Sequence, residues 1–124
     1  MALEMNPEIR ARWTAALRSG TYKQGEGYLR INDGYCCFGV LCELAVKARI
    51  IHLRQNDNGI WQYDGRADYL PEAVLDWAGL RISNPEVSTP SGMFPLAILN
   101  DGDDETEGQW SFAQIADAID GGAS

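Results

Sequence analysis

The stretch from Phe38 to Ala48 constrains the fold more than any other part of the chain. Its apolar side chains recur at helical spacing on two faces, with Phe38, Leu41, Cys42 and Ala45 on one and Val40, Leu44 and Ala48 on the other. A helix that is apolar on most of its sides is buried among other elements. The sequence therefore predicts a central helix around which the remaining elements pack.

Two further helices are predicted near the ends of the chain. Asn6 is placed to cap the first of them and Gly20 to end it, so we expect a helix near residues 7–19. Ser111 and Gln114 have the spacing of a capping box, which predicts the start of the last helix. The central helix is thus expected to be flanked by an N-terminal and a C-terminal helix.

Strand patterns occur in pairs between these helices. Residues 28–31 and 35–37 flank an Asn-Asp-Gly turn, and an Asx-Gly turn is the strongest short-range signal for a hairpin because it accepts positive φ at both positions. Residues 50–54 and 60–63 flank a longer polar loop and predict a second hairpin.

The next part of the chain carries weaker signals. A short helix is expected after Leu70, and Gly79 is placed to end it. Residues 81–93 contain three turn dipeptides, which favour either a loop or a last short hairpin, and residues 95–99 suit a helical turn.

These elements predict an α+β fold in one globular domain over residues 1–124. Two or three β-hairpins would pack around the buried central helix. A chain of 124 residues falls in the usual single-domain range, and 45% hydrophobic residues are enough for one core. We expect a cytoplasmic protein, since no apolar run approaches the roughly 20 residues that span a bilayer. The N-terminus also lacks the apolar stretch of a secretory signal, and three cysteines make a poor disulfide framework.

The acidity of the chain is confined to its second half. Residues 1–54 hold eight basic and five acidic residues, a net charge of +3, whereas residues 55–124 hold two and thirteen, a net charge of −11. A protein with a net charge of −8 repels phosphate backbones, so we expect no nucleic-acid partner. Local arginines can still hold a small anion. Alternatively, the basic half simply packs against the acidic half.

Three patterns that would suit metal or thiol chemistry are incomplete. Cys36, Cys37 and Cys42, with the single histidine His52, lack the C-x2–4-C pairing of zinc sites, and such cysteines are usually small buried hydrophobic residues. A cysteine nucleophile needs a base that is oriented by a carboxylate, and no such carboxylate is evident beside His52. The acidic run at residues 101–107 lacks the spacing of a calcium loop. We therefore expect no metal, no cofactor and no catalytic residue.

A candidate binding site combines aromatic and basic side chains of the two predicted hairpins. Its members are Tyr28, Arg30, Tyr35, Arg54, Trp61, Tyr63 and Arg66. Strand alternation places Tyr28 and Arg30 on one face, and likewise Trp61 and Tyr63. Aromatic planes stack on bases and arginine forks bind phosphates, so this set suits a nucleotide and needs no catalytic group. The alternative is that Trp61 and Tyr63 fill the core while the arginines lie on the surface.

The order of motifs resembles a known group of sequences. RWTAALRSG, YKQGEGYLR, YCCFGVLCELAV, LPEAVLDWAGL and LAILND followed by SFAQIADAID cover nearly the whole chain. Together they are similar to small uncharacterised proteins that are encoded by tailed phages and by bacteria carrying phage remnants, with a CC(F/L)GVLC motif. The resemblance implies an accessory protein that a phage expresses in its bacterial host. Proteins of that kind often act by binding, either to host defence proteins or to the nucleotide signals of the defence.

Three functions follow as hypotheses. The first is a non-enzymatic protein that sequesters a small, anionic, nucleotide-derived immune signal of the host. The second is an interaction module whose acidic second half binds and inhibits a basic host protein. The third is a nucleotide hydrolase, for which the sequence offers no evident nucleophile, metal set or general base. No membrane partner is expected, and association of the chain with itself stays open.

Overall fold

Helices and short strands alternate along the chain in the computed structural model, which describes residues 2–102 and 108–122. In chain order the elements are α1 (Pro7–Arg18), β1 (Lys23–Gln24), β2 (Arg30–Ile31), β3 (Gly34–Tyr35), α2 (Cys37–Lys47), β4 (Leu53–Gln55), β5 (Trp61–Tyr63), α3 (Glu72–Ala78), β6 (Glu86–Thr89), β7 (Gly92–Pro95), α4 (Leu96–Asp101) and α5 (Phe112–Ile119). This order confirms the predicted α+β class. None of the described helices is long and apolar enough to cross a membrane.

The predicted central helix is α2, and it lies at the centre of the core. It begins one residue earlier than expected, after Cys36 in extended conformation, and ends at Lys47. Its buried residues are Cys37, Phe38, Gly39, Val40, Leu41, Cys42 and Ala45. Helices α1, α3 and α4 and strand β3 all contact α2. Burial on several sides is what its apolar faces predict.

Gly39 is the position of closest approach between α2 and the first hairpin. A Cβ built on Gly39 would lie 1.8 Å from the main-chain oxygen of Leu29 and 2.7 Å from its carbonyl carbon. Only a residue without a side chain allows the helix to lie directly against this backbone. The glycine in CCFGVLC therefore sets the distance between the central helix and the segment that leads into β2.

The two terminal helices, α1 and α5, pack against each other. Asn6 caps α1 by accepting from the main-chain N–H groups of Glu8 and Ile9, as its position predicts. Arg18 near the end of α1 donates to Asp117 at 2.8 Å and to Asp120 at 2.9 Å. The basic first half thus contacts the acidic second half here, in agreement with the intramolecular interpretation of the charge asymmetry.

The first hairpin contains a difference from the predicted turn. The pairing of Ile31 with Gly34 leaves Asn32 and Asp33 as the two turn residues, and the φ of Asn32 is 53°. Gly34 lies in β3 rather than in the turn, where a Cβ would be 3.2 Å from the Cα of Gly25. The glycine is therefore needed for the approach of the chain that follows β1, which pairs parallel to β3.

The two remaining hairpins are regular antiparallel pairs. In the second hairpin β4 pairs with β5, and in the third β6 pairs with β7. Of the two alternatives for residues 81–93, a loop or a hairpin, the chain forms the hairpin. The final helix α5 begins with both hydrogen bonds of the predicted capping box between Ser111 and Gln114.

Candidate functional site

The register of the second hairpin decides which predicted site residues share a face. Leu53 lies opposite Tyr63, Arg54 opposite Gln62 and Gln55 opposite Trp61. Directly opposite residues project to the same side of a sheet, and successive residues alternate. Trp61 and Tyr63 therefore share one face, as predicted, while Arg54 projects from the other.

Tyr63 is a core residue. Its ring is fully buried, and its hydroxyl donates a hydrogen bond of 2.7 Å to the carboxylate of Glu43 on α2. Burial, together with that bond, raises the pKa of Tyr63 far above its ordinary value. The side chain joins the second hairpin to the central helix, which is the alternative that the sequence left open for it.

Arg30 connects the two hairpins. Its guanidinium carbon lies 4.1 Å from the ring centroid of Trp61 in β5 and 5.1 Å from that of Tyr35 in β3. Arg30 and Tyr35 are directly opposite in the β2–β3 pair, which brings their side chains together. Cation–π contacts of this kind stabilise a guanidinium against the aromatic face and fix its plane.

Tyr35 is itself held in position by neighbours. Its ring meets that of Tyr22 edge-on, with the centroids 5.2 Å apart and the planes at 86°. The hydroxyl of Tyr22 accepts a 2.8 Å hydrogen bond from the ammonium of Lys47, and this bond raises the pKa of Lys47. Burial raises the pKa of Tyr35. Arg30 is thus oriented by a supported ring.

A groove with a volume of about 190 Å³ opens beside Arg30, between the first and second hairpins. We call it the interhairpin groove, and it is lined by Tyr28, Arg30, Ile31, Asn32, Asn58, Gly59, Ile60 and Trp61. Tyr28 is 42% exposed at this surface. The groove therefore offers two aromatic side chains, one guanidinium and two amides to a ligand.

One hydrogen-bond donor of Arg30 has no partner among the described residues. The Nε of Arg30 is buried, and no acceptor in the described parts of the chain bonds to it. The ion pairs formed within these parts likewise leave Arg30 without a carboxylate within 4.0 Å. A buried polar group without a partner costs about 1–3 kcal/mol, and more when charged. Such groups are rare in folded proteins.

The other predicted site residues lie elsewhere. Arg54 lines a second cavity on the outer face of the β4–β5 hairpin, and Arg66 lies over the ring of Tyr69, to whose hydroxyl it donates. The structure thus brings Tyr28, Arg30, Tyr35 and Trp61 together but does not bring Arg54, Tyr63 and Arg66 to them. Asn32 and Asn58 also belong to the groove, and the sequence did not indicate them as site residues because turn asparagines are ordinarily explained by backbone conformation.

The second cavity has a volume of about 320 Å³ and is lined by His52, Arg54, Gln62, Asp64 and Gly65. Asp64 lies next to His52, which was not predicted from the sequence. The hydrogen bond that joins them, 2.9 Å long, uses the main-chain N–H of His52 rather than its imidazole. The carboxylate therefore closes the end of the hairpin and does not orient the ring as a catalytic base requires.

The cysteines lack the properties of nucleophiles or metal ligands. All three are free and buried. Burial raises the pKa of Cys36 to about 11 and raises those of Cys37 and Cys42 well above the ordinary value, so that the thiolate is scarce at neutral pH. Within residues 2–102 and 108–122, no group of three His, Cys, Asp or Glu side chains gathers to hold a metal ion. Most of the acidic run, residues 103–107, lies outside the described residues.

This burial predicts the behaviour of the thiols. We expect Cys37 and Cys42, both with no exposed surface, to resist a thiol reagent in the native protein and to react fully in denaturant. Cys36 serves as the internal comparison, because it is 8% exposed and should react first. Mass spectrometry of the alkylated protein assigns the modified positions, and rapid labelling of Cys42 under native conditions would contradict its place in the core.

The motifs behind the family resemblance contain residues that hold the fold together. Asn100 of the LND motif is fully buried in α4. Its Oδ1 accepts from the main-chain N–H of Cys37 and from Gln24, and its Nδ2 donates to the main-chain oxygen of Gly25 and to Asp101. The indole N–H of Trp13 donates to the main-chain oxygen of Cys37 at 2.9 Å. These contacts fix the start of α2 and are separate from the interhairpin groove.

Comparison with protein families gives one result for the chain as a whole. The model of a domain of unknown function, DUF8296, matches residues 5–122. No curated protein and no solved structure matches the chain.

Proposed function

The chain belongs to the DUF8296 family, a domain of unknown function, and we propose that it binds a small anionic, nucleotide-like ligand in the interhairpin groove. The observation that carries this proposal is the Arg30 guanidinium, which lines the groove, packs on two aromatic rings and pairs with no carboxylate of the described residues. A phosphoryl oxygen is the kind of acceptor that a guanidinium pairs with most strongly. The biological role that we propose with it is sequestration of a host immune signal by a phage or prophage protein.

The lining of the groove suits the parts of a nucleotide. Tyr28 provides exposed aromatic surface, and stacking of a base on an aromatic side chain is worth about 1–3 kcal/mol. The amides of Asn32 and Asn58 can both donate to and accept from the polar edge of a base. Arg30, held by its two rings, supplies the positive charge that an anion needs in a protein of net charge −8.

The same lining favours binding over catalysis. None of the described residues that form the groove is a histidine, cysteine, serine, threonine, aspartate or glutamate. Hydrolysis of a phosphate ester needs a general base, a nucleophile or a metal ion near the reacting phosphorus. A ligand in this groove would therefore be retained unchanged, which supports sequestration over the hydrolase hypothesis.

The size of the groove limits how much of a ligand it encloses. Its volume of about 190 Å³ is below the roughly 300–1,000 Å³ of pockets that enclose drug-sized molecules. One base or one phosphoryl group with its sugar is thus held inside, and the rest of a larger ligand lies outside. Affinity would depend on a few strong contacts, and the contact to the Arg30 guanidinium is the one made by a charged side chain.

Substitution of Arg30 tests the proposed site. We expect Arg30→Ala to weaken nucleotide binding about ten- to a hundredfold, because a charge-assisted hydrogen bond is worth about 1.5–3 kcal/mol. Arg66→Ala is the matched control, since Arg66 lies against Tyr69 outside the groove. Calorimetric titration of both variants and the parent measures the effect, with the melting temperature recorded to confirm folding. Equal affinity of Arg30→Ala and the parent would show that the groove is not the site.

The fate of the ligand separates sequestration from hydrolysis. Protein in excess should remove a bound nucleotide from solution, and heat denaturation should return it intact. Chromatography of the released material makes the comparison. Accumulation of a cleaved product at substoichiometric protein would favour the hydrolase instead.

The interaction-module hypothesis receives less support from the described residues. Asp117 and Asp120 of the acidic half are paired with Arg18, and Asp120 lies 4.0 Å from Arg10 as well. Carboxylates that already contact arginines of the same chain offer less charge to a basic partner. Residues 103–107, which the hypothesis also used, lie outside the described residues.

A further inference from the structure

We propose that the interhairpin groove selects a phosphodiester with a single negative charge, as found in a cyclic nucleotide, over phosphomonoesters and polyphosphates. This inference rests on the proposed function and narrows its ligand class. It follows from the number of cations in the groove, from the charges at its rim and from the side of the Arg30 guanidinium that is left for a ligand.

The groove contains one cation. Arg30 is the only lysine or arginine among the described residues that line it, and the remaining polar side chains there are the uncharged amides of Asn32 and Asn58 and the phenol of Tyr28. One guanidinium neutralises one negative charge. A ligand with two to four negative charges would keep an excess charge next to a protein whose net charge is −8.

Two carboxylates are neighbours in sequence of residues that line the groove. Asp33 follows Asn32 in the turn of the first hairpin, and Asp57 precedes Asn58 in the loop of the second, so a carboxylate is adjacent in sequence to each amide of the groove. Asp33 has a partner in Lys23 at 3.6 Å, whereas Asp57 has no cation within 4.0 Å in the described residues. Charges within about 8 Å of one another are only partly screened at physiological salt, so a carboxylate at that range from a bound phosphate repels each additional phosphate charge.

The orientation of Arg30 favours a phosphoryl group with two equivalent free oxygens. Trp61 and Tyr35 lie near the guanidinium at 4.1 Å and 5.1 Å and its Nε is buried, so the edge formed by the two terminal amino groups is the side that remains for an acceptor. An arginine edge presents parallel N–H groups that pair with two oxygens of one phosphoryl group. A phosphodiester offers two such oxygens with a single charge, while a phosphomonoester carries about −1.5 to −2 at neutral pH.

Titration with matched nucleotides tests this selectivity. The full chain is titrated at constant salt and without divalent cations with three forms of adenosine, the 3′,5′-cyclic monophosphate, the 5′-monophosphate and the 5′-triphosphate, and likewise with the guanosine and uridine forms. We expect at least one cyclic monophosphate to bind, and to bind about tenfold or more tightly than the triphosphate of the same nucleoside. The 5′-monophosphate should lie between the two.

Two variants link the selectivity to its proposed causes. Arg30→Lys keeps the charge but removes the parallel N–H groups. It should therefore weaken binding of the cyclic nucleotide about tenfold and binding of the triphosphate by less. The double variant Asp33→Asn and Asp57→Asn should increase the affinity for the triphosphate more than the affinity for the cyclic nucleotide. Asp76→Asn, on the exposed side of α3, is the matched control and should change neither affinity.

The outcomes separate the two proposals. If the mono- or triphosphate binds as tightly as the cyclic form and Arg30→Ala abolishes that binding, the groove is a nucleotide site but the charge selectivity is wrong. If no member of any series binds, the proposed function and this inference are both wrong. Both proposals are supported if the cyclic form binds most tightly and the triphosphate least, and if the double variant Asp33→Asn and Asp57→Asn reduces this difference.

Discussion

Replacing Gly39 by alanine should destabilise this protein by about 3 kcal/mol or more, although alanine is the better helix former. Helix propensity alone predicts that Gly39→Ala stabilises α2 by about 0.5–1 kcal/mol. The added Cβ, however, would lie 1.8 Å from the main-chain oxygen of Leu29, and main-chain atoms cannot rotate away as a side chain can. The helix and the segment before β2 would have to separate, which opens the core around it. Overpacking of a core typically costs 1–3 kcal/mol and occasionally more.

Equilibrium denaturation in urea measures this effect. The matched control is Gly122→Ala near the C-terminus, where a Cβ would meet its nearest neighbour at an ordinary 3.6 Å. We expect the control to unfold at the same denaturant concentration as the parent. A Gly39→Ala protein that is as stable as the parent would contradict the close packing of α2 on the first hairpin.

Replacing Asn100 by alanine is the second substitution with a large expected effect, a loss of about 3 kcal/mol in the free energy of unfolding. Cys36 provides no side-chain cap for α2, and the amide oxygen of Asn100 accepts from the first N–H of the helix at 3.1 Å. Alanine leaves this buried N–H and the partly buried carbonyl oxygen of Gly25 without that partner. Each such group costs about 1–3 kcal/mol.

A matched asparagine and an isosteric change make this prediction specific. Asn58→Ala, at the exposed rim of the interhairpin groove, should change stability by no more than about 0.5 kcal/mol. Asn100→Asp should be at least as destabilising as Asn100→Ala, because it loses both donors and places a second carboxylate beside Asp101. Thermal and urea denaturation compare the three variants with the parent. Parent-like stability of Asn100→Ala would mean that water or another group can replace the amide.

The helices were predictable from the sequence because their signals are local. Asn6 and the capping box at Ser111 act on N–H groups two or three residues away, and the structure contains these bonds. The apolar faces of α2 likewise follow from residues within that helix. Local chemistry of this kind does not depend on where the rest of the chain lies.

Features that depend on distant residues were less predictable. The turn of the first hairpin is at Asn32 and Asp33 because Gly34 is needed in the strand, where it faces Gly25. The roles of Gly39 and Asn100 require partners from other elements; the Asn100 contact to Cys37 joins residues that are 63 positions apart. Sequence motifs mark such residues without saying what they contact.

The candidate site shows the same division. Alternation correctly places Trp61 and Tyr63 on one face, but it does not say that Tyr63 would enter the core while Trp61 borders a groove. That distinction depends on how the second hairpin lies against α2, where Glu43 bonds to the Tyr63 hydroxyl. The pairing of Arg30 with Trp61 joins two separate sheets, so no pattern within either hairpin predicts it.

The most direct test of the groove as a ligand site is the side-chain N–H signal of Arg30 in a nitrogen-15 NMR spectrum. The Arg30→Lys variant, which lacks this signal, identifies it in the parent protein. On saturation with the cyclic nucleotide that binds most tightly, we expect the Arg30 Nε–H signal to shift as the guanidinium gains a phosphoryl acceptor, while that of Arg66 stays in place. An unchanged Arg30 signal in protein that is saturated with nucleotide would contradict the site.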